Sequence, residues 1–202
     1  MVEYARRILG YHFFYELFHK FIGADYRNRV LVDEYLRLRP GDSILDIGCG
    51  PGNMVPFLPP CTYLGVDASP QYIAAAQRRY GHRGKFICEQ VKMHHLQEIG
   101  SFDVVLASGL VHHLDDSEAA DLFRLGYEAL VPAGRMITVD VCIVPGQSAA
   151  KRYFLSRDRG QFVRPKEEYV RLAAAAFSQV RPTVREDVLR LPNTTLFMEC
   201  TK

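Results

Sequence analysis

The sequence predicts an α/β protein in which helices cover both faces of a mostly parallel sheet. Short apolar runs alternate with longer segments of helical periodicity along most of the chain. The run SILDIG, at 43–48, is apolar on both faces, which is typical of a strand buried inside a parallel sheet. The last two predicted strands follow each other without a helix, so we expect an antiparallel pair at one edge of the sheet.

The first half of the chain contains three predicted strands and three predicted helices. The helices are expected at residues 11–22, 26–38 and 70–81, and the strands at 43–48, 62–69 and 84–89. The segment RPGD ends the second helix, because proline and glycine disfavour its continuation. Ser69, followed by Pro70, has the residue types preferred at a helix start, and Gly81 is typical of a helix end.

The second half continues the alternation. Strands are predicted at 101–108, 134–143, 178–187 and 194–201, and helices near 93–98 and at 116–134, 148–160 and 164–177. The sequence shows neither internal repeats nor a low-complexity linker. We therefore expect one domain over residues 1–202, with a helical segment at 1–38 attached to its front.

Composition argues against several classes of protein. The formal net charge is +2, which is too small to indicate a nucleic-acid or membrane partner. The five cysteines lack the spacing of a zinc site or a disulfide framework and predict reduced thiols in a cytoplasmic protein without a metal. The apolar N-terminus is interrupted by charged residues, so we predict neither a signal peptide nor a membrane span.

The segment ILDIGCGPGN, at 44–53, carries the first functional signal. A buried strand runs into three glycines, which are useful where backbone must turn sharply or approach a ligand closely. A dinucleotide-binding loop would need a further glycine at a different spacing, and a phosphate-binding P-loop would need a lysine that is absent here. The acid Asp46, just before the glycines, favours a ligand that carries an ammonium group.

The second strand ends at another acid. Asp67 follows the glycines by roughly 20 residues, where a carboxylate accepts hydrogen bonds from ribose hydroxyls. Asp46, the bare glycine backbone and Asp67 together fit an adenosine that bears an amino-acid tail and no phosphate. A nicotinamide dinucleotide remains the alternative ligand at this point.

Four ordered motifs resemble those of the class I S-adenosylmethionine-dependent methyltransferases. They are LDIGCGPG, YLGVDAS, FDVVLASGLVHHL and ALVPAGRMITVD, and the resemblance extends from about residue 40 to residue 141. It implies a Rossmann-like fold with a seven-stranded sheet, the last strand inserted antiparallel, and an N-terminal helical lid over residues 1–38. It also implies S-adenosylmethionine as the methyl donor and S-adenosylhomocysteine as the product.

The resemblance implies roles for individual residues. Asp46 would anchor the ammonium group of the methionine tail through backbone or water, and Asp67 would bind both ribose hydroxyls. The other residues that would contact the cofactor are Tyr15, His19, Gly48, Cys49, Gly50, Ala68, Gln90, Val91, Ser108 and Gly109. The family usually has an aspartate after the third strand, where this chain has Gln90. The alternative for the aromatic N-terminal residues is simple core packing.

The acceptor is expected to be a small molecule that presents an oxygen or nitrogen nucleophile. His112 and His113 follow the fourth strand and are candidate general bases, with packing in a loop as the alternative. Residues 144–165 are a candidate acceptor-site insertion. The basic tract at 151–171 is either a solvated face or a surface for an anionic acceptor, which leaves RNA or protein methylation as an alternative. A binding module without catalysis is a further alternative.

Overall fold

A computed structural model describes residues 23–89, 100–155 and 160–202 of the chain. Its seven strands are β1 (Ser43–Ile47), β2 (Thr62–Asp67), β3 (Lys85–Cys88), β4 (Phe102–Ser108), β5 (Leu130–Val141), β6 (Gln179–Arg185) and β7 (Thr195–Thr201). They form one sheet in the order β3-β2-β1-β4-β5-β7-β6. Only β7 runs antiparallel to its neighbours within this sheet, and it lies between β5 and β6. The predicted fold class is confirmed.

Five α-helices lie in the described residues. They are α1 (Ala24–Val30), α2 (Pro70–Tyr80), α3 (Asp116–Ala129), α4 (Ala149–Leu155) and α5 (Lys166–Ala174). Ser69 caps α2 as predicted, since its side chain accepts a hydrogen bond from the backbone N–H of Tyr72. At the start of α3, Asp115 and Glu118 form a reciprocal capping box. The helices predicted at 11–22 and 93–98 lie outside the described residues.

Two apolar clusters cover the two faces of the sheet. One face packs against α3 and α5, and its fully buried residues include Phe123 and Tyr169. The other face packs against the N-terminal segment, where α1 continues into one wider helical turn, Leu31–Leu36. In that turn Tyr35 stacks on Phe197 of β7, with 4.3 Å between ring centroids. Residues 24–36 are therefore part of the core, while the lid predicted over 1–38 has its first 22 residues outside the described part.

The boundary between α3 and β5 differs from the prediction. The helix predicted over 116–134 ends at Ala129, and the strand predicted to begin at 134 begins at Leu130. Leu130 already pairs with Phe102 of β4, and Pro132 lacks the N–H that a continuing helix would need. The strand carries an irregularity where its register against β4 shifts between Phe102 and Val104. Pro132 and Gly134 thus belong to the irregular first part of β5 and do not mark the end of a helix.

The strand order places β1 beside β4 at the centre of the sheet. After β1 the chain crosses to β2 on one side, and after β4 it crosses to β5 on the other side. The loops that follow the carboxyl ends of β1 and β4 therefore diverge and leave a crevice between them. In open α/β sheets, ligands bind in such a crevice.

Candidate functional site

The glycine loop after β1 forms one wall of the crevice. Gly48 has a φ of 76°, and a Cβ there would lie 3.3 Å from the side chain of Leu110. Gly50 has a φ of 56°, and a Cβ there would meet nothing within 4 Å. The backbone of this loop is thus bent into a conformation that favours glycine, and Gly50 borders open space. A side chain at Gly50 would occupy room that a ligand can use.

Asp67 ties the glycine loop to the end of β2. Its Oδ2 accepts a hydrogen bond from the backbone N–H of Gly50 at 3.0 Å, and its Oδ1 accepts one from Ser69 at 2.8 Å. The side chain is half-buried, and Ala68 beside it is exposed. An ionised carboxylate has about four lone-pair sites, so two remain for hydroxyl groups of a ligand. The structure thus brings Asp67 and Gly50 together, as the sequence predicts for a ribose site.

Asp46 lies in β1 and is buried rather than open to the crevice. Its side chain is 2% exposed, and its Oδ2 accepts a hydrogen bond from the phenol of Tyr63 at 2.8 Å. Burial raises the pKa of Asp46 to about 7, and the Tyr63 hydrogen bond limits that rise. Cys49 in the adjacent loop is also buried, and desolvation raises the pKa of its thiol. Any influence of Asp46 on a ligand in the crevice acts through intervening atoms, as the sequence analysis expects.

The loop after β4 forms the opposite wall. Ser108 ends the strand and is half-buried, while Gly109 is exposed and has a φ of 70°. The N–H of Gly109 bonds to the carbonyl of Val139 in β5 at 2.7 Å, which holds the start of this loop against the sheet. Both residues therefore lie at the carboxyl edge of the sheet, on the same side as Asp67 at the end of β2.

The two histidines after β4 have different surroundings. His112 is buried, and its Nδ1 lies 2.7 Å from Oδ1 of Asp140 in β5. The same carboxylate oxygen accepts the backbone N–H of His112 at 3.2 Å. His113 is exposed, and its ring lies 4.2 Å from that of His112 between centroids. A carboxylate at Nδ1 favours a proton there, which leaves Nε2 as the acceptor nitrogen of the neutral ring.

One edge of the His112 ring faces the loop after β4. A Cβ on Gly109 would lie 3.9 Å from Cε1 of His112, the carbon between the two ring nitrogens. His112 thus has the arrangement of a general base that a buried carboxylate orients.

Arg164 holds the histidine loop in place. It is 4% exposed, and its guanidinium donates to the carbonyls of Val111, Leu114 and Phe162 and to the carboxylate of Asp116. The backbone N–H of Phe162 in turn bonds to the carbonyl of His112 at 3.0 Å. This arginine therefore fixes the loop that carries the histidines.

The basic tract at 151–171 consists mostly of cations with partners inside the chain. Lys151 pairs with Glu186 at 2.5 Å, and Arg171 pairs with Asp116 at 3.1 Å. Lys166 lies 3.4 Å from Glu167. Arg164 also pairs with Asp116, whereas Arg152 donates to the carbonyl of Gln147. Most of the described cations of the tract thus belong to local ion pairs, which is typical of a solvated face. Arg157 and Arg159 lie outside the described residues.

Several predicted site residues lie outside the described part, and three contributors were missed. Tyr15, His19, Gln90 and Val91 are among the residues of which the structure gives no account. The missed contributors are Asp140, which contacts His112, Tyr63, which contacts Asp46, and Arg164, which holds the histidine loop. A sequence signal existed for Asp140, since an acid in the apolar run MITVDV is unusual. In the described ranges no group of three potential metal ligands comes together.

Comparison with known proteins finds a family match within the chain and solved structures of the same fold. A family model described as a methyltransferase domain matches residues 44–134, which hold the glycine loop, Asp67 and both histidines. The solved structure of N-methyltransferase NodS from Bradyrhizobium japonicum aligns with a TM-score of 0.65 over 89% of this chain and 96% of that one, at 16% identity. The matched part of the chain is thus similar to methyltransferase domains, and its fold is that of S-adenosylmethionine-dependent methyltransferases of known structure. The resemblance seen in the sequence is confirmed.

Two further proteins are similar to this chain. Phosphoethanolamine N-methyltransferase 1 of Arabidopsis thaliana is 27% identical over 161 residues, which is 76% of this chain and 32% of the relative. Phosphoethanolamine N-methyltransferase 2 of Haemonchus contortus aligns with a TM-score of 0.65 at 17% identity, over 87% of this chain and 52% of that one. The chain spans about a third of the length of the curated phosphoethanolamine methyltransferases it matches. Within the described residues of the chain, no helix has the length and apolarity that crossing a bilayer requires.

Proposed function

We propose that the chain transfers a methyl group from S-adenosylmethionine to an oxygen or nitrogen of a small-molecule acceptor, by in-line displacement. The observation that carries this proposal is the link between Asp67 and the N–H of Gly50 at 3.0 Å. It places a half-buried carboxylate beside a backbone with open space above it. The match to a methyltransferase domain supports the choice of a nucleoside with an amino-acid tail over a dinucleotide.

The residues of the crevice fit this cofactor. Asp67 has lone pairs left for the two ribose hydroxyls, and Ala68 offers a small apolar surface to the adenine. Gly50 lets the ligand approach the backbone closely, because a Cβ there would fill open space. Asp46 contributes negative charge behind the loop, which favours an ammonium group through a medium of low dielectric.

His112 is proposed as the general base for acceptors that must lose a proton. The bound cofactor supplies an activated methyl group on a sulfonium, so the protein has mainly to align the nucleophile and exclude water. Asp140 holds His112 through Nδ1, and Cε1 of the ring faces Gly109 in the loop where Ser108 and Gly109 would line the acceptor. A proton taken by Nε2 yields an imidazolium that the buried Asp140 carboxylate stabilises.

A small acceptor is supported by the relatives and by the surface. The curated relatives include proteins named phosphoethanolamine N-methyltransferases, and phosphoethanolamine is a small amine. Most described cations of the basic tract are engaged in ion pairs within the chain, which disfavours RNA or a protein as the acceptor. We also propose a cytoplasmic location, which the five free thiols support.

The experiment that tests this function uses S-adenosylmethionine carrying a labelled methyl group. The protein is incubated with this donor and a cell extract separated into small molecules, RNA and protein, with His112→Asn as the matched control. Label in the small-molecule fraction that depends on His112 would support the proposal. Label in RNA or protein would overturn the choice of acceptor. Binding of the donor without transfer to any fraction would indicate a non-catalytic module.

A further inference from the structure

A tyrosine supports the buried acid of β1. The phenol of Tyr63, in β2, donates a hydrogen bond to Oδ2 of Asp46 at 2.8 Å. Tyr63 is 4% exposed and Asp46 is 2% exposed, so water competes little with this bond. A hydrogen bond to an ionised group in a dry site is stronger than one at the surface. The pair therefore favours the charged form of a carboxylate that burial alone would neutralise.

A glycine makes room for the tyrosine ring. In the parallel register of β1 and β2, Ile44 lies opposite Tyr63 and Asp46 lies opposite Gly65. The ring of Tyr63 thus extends along its own strand, over Gly65, to reach the acid. A Cβ on Gly65 would lie 3.0 Å from Cε1 of Tyr63 and 2.8 Å from Sγ of Cys49. The absence of a side chain at Gly65 is a steric condition for the Tyr63 contact.

Two ionisable groups among the described residues, Tyr63 and Asp67 of β2, shift the pKa of Asp46. Cys49 in the loop after β1 lies close enough for the charge of Asp46 to raise the pKa of its thiol. The negative charge of Asp67 raises the pKa of Asp46, whereas the hydrogen bond from Tyr63 lowers it. With burial as the largest cause, the pKa of Asp46 rises to about 7. The charge state of Asp46 is therefore poised near neutral pH and depends on Tyr63.

We propose that Tyr63 is a positioning residue of the cofactor site, which fixes Asp46 and keeps it charged for the ammonium group of the ligand. This inference rests on the proposed function, because it concerns the amino-acid tail of the same cofactor. Tyr63 itself is buried behind the glycine loop and acts through Asp46. Tyr63 begins the motif YLGVDAS, but no role follows for it from the sequence alone.

The proposal predicts a particular pH dependence. The ligand's ammonium group gains from Asp46 only when the carboxylate is ionised, so affinity should rise by about tenfold between pH 6 and pH 8. Loss of the phenol hydroxyl removes a buried hydrogen bond to the Asp46 carboxylate, which should raise the pKa of Asp46 by about one to two units. In Tyr63→Phe the midpoint of the curve of ligand affinity against pH should therefore move to higher pH. Tight binding should be recovered only above that midpoint.

The test measures the Kd of S-adenosylhomocysteine by calorimetry from pH 6 to pH 9, for wild type and Tyr63→Phe. The ligand's own titration cancels in the ratio of the two Kd values. We expect that ratio to fall from about tenfold or more at pH 6 to about one at pH 9. Tyr127→Phe is the matched control, since Tyr127 packs on Phe177 away from the crevice, and its ratio should stay at one. The tail-free analogue 5′-methylthioadenosine should show no such pH-dependent ratio.

A ratio for Tyr63→Phe that is constant over pH would show a merely structural role and overturn the inference. Failure of wild type to bind the ligand at any pH would overturn the proposed function and the inference with it, and the two failures are therefore distinguishable. A second measurement uses the wild-type protein alone, by following the Cζ resonance of Tyr63 in a pH titration. We expect it to move with the ionisation of Asp46, and an unresponsive resonance would also overturn the inference.

Discussion

Nδ1 of His112 lies 2.7 Å from Oδ1 of Asp140, and both side chains are buried in the described structure. The two residues come from different elements, the loop after β4 and the interior of β5. The same oxygen of Asp140 also accepts the backbone N–H of His112. This double contact fixes both the loop and the imidazole ring, and it distinguishes His112 from its exposed neighbour His113.

The first prediction concerns this pair. With an acceptor that must lose a proton, His112→Asn should lower kcat by about a hundredfold or more, because a positioned base is lost. Asp140→Asn should lower kcat as well, and both variants should bind S-adenosylhomocysteine with unchanged Kd. Steady-state kinetics and calorimetry check these outcomes. His113→Asn is the comparison, and a loss in it as large as in His112→Asn would contradict the assignment.

The second prediction concerns Arg164 and stability. Arg164→Met should lower the free energy of unfolding by about 2–4 kcal/mol, because the carbonyls of Val111 and Leu114 lose a buried donor. Arg171→Met also removes a cation that pairs with Asp116. Because the side chain of Arg171 is 65% exposed, this substitution should lower the free energy of unfolding by less than about 1 kcal/mol. Urea denaturation of both variants measures the difference. Equal losses would show that Arg164 does not clamp the histidine loop.

The third prediction concerns Asp46 and the pH dependence of stability. Burial raises the pKa of Asp46 to about 7 in the folded protein, whereas the unfolded value is about 3.9. The contribution of the protonated carboxyl group to the free energy of unfolding is therefore fully present below a pH of about 3.9. That contribution should be lost progressively as pH rises toward 7, because the folded state resists ionisation. Asp46→Asn removes this dependence. The free energy of unfolding of wild type, relative to that of the variant, should therefore decrease between pH 4 and pH 7 and stay level above it. A difference that is independent of pH would contradict the buried state of Asp46.

Much of the fold followed from the sequence because its signals are local. The apolar runs and the Ser69–Pro70 start of α2 depend on neighbouring residues and were predicted correctly. The inserted antiparallel position of β7 came from the family resemblance and was also correct. The end of α3 was wrong, since pairing of Leu130 in the sheet outweighed the helical pattern.

The site was only partly predictable because its key contacts join distant positions. Asp140 and His112 are 28 residues apart and meet through the register of β4 and β5, in which Ser108 pairs with Val139. Tyr63 meets Asp46 through the register of β1 and β2. No spacing in the sequence gives such registers. Asp67 was found because its distance from the glycines is set by one short connection and strand β2.

We propose that the crevice between the loops after β1 and β4 binds S-adenosylmethionine through Asp67. Calorimetry of S-adenosylhomocysteine with wild type and Asp67→Ala tests this role, with circular dichroism to verify that the variant is folded. We expect clear binding by wild type and a loss of at least about a hundredfold in the variant, because two hydrogen bonds to a charged group disappear. Retention of wild-type affinity by folded Asp67→Ala would contradict it.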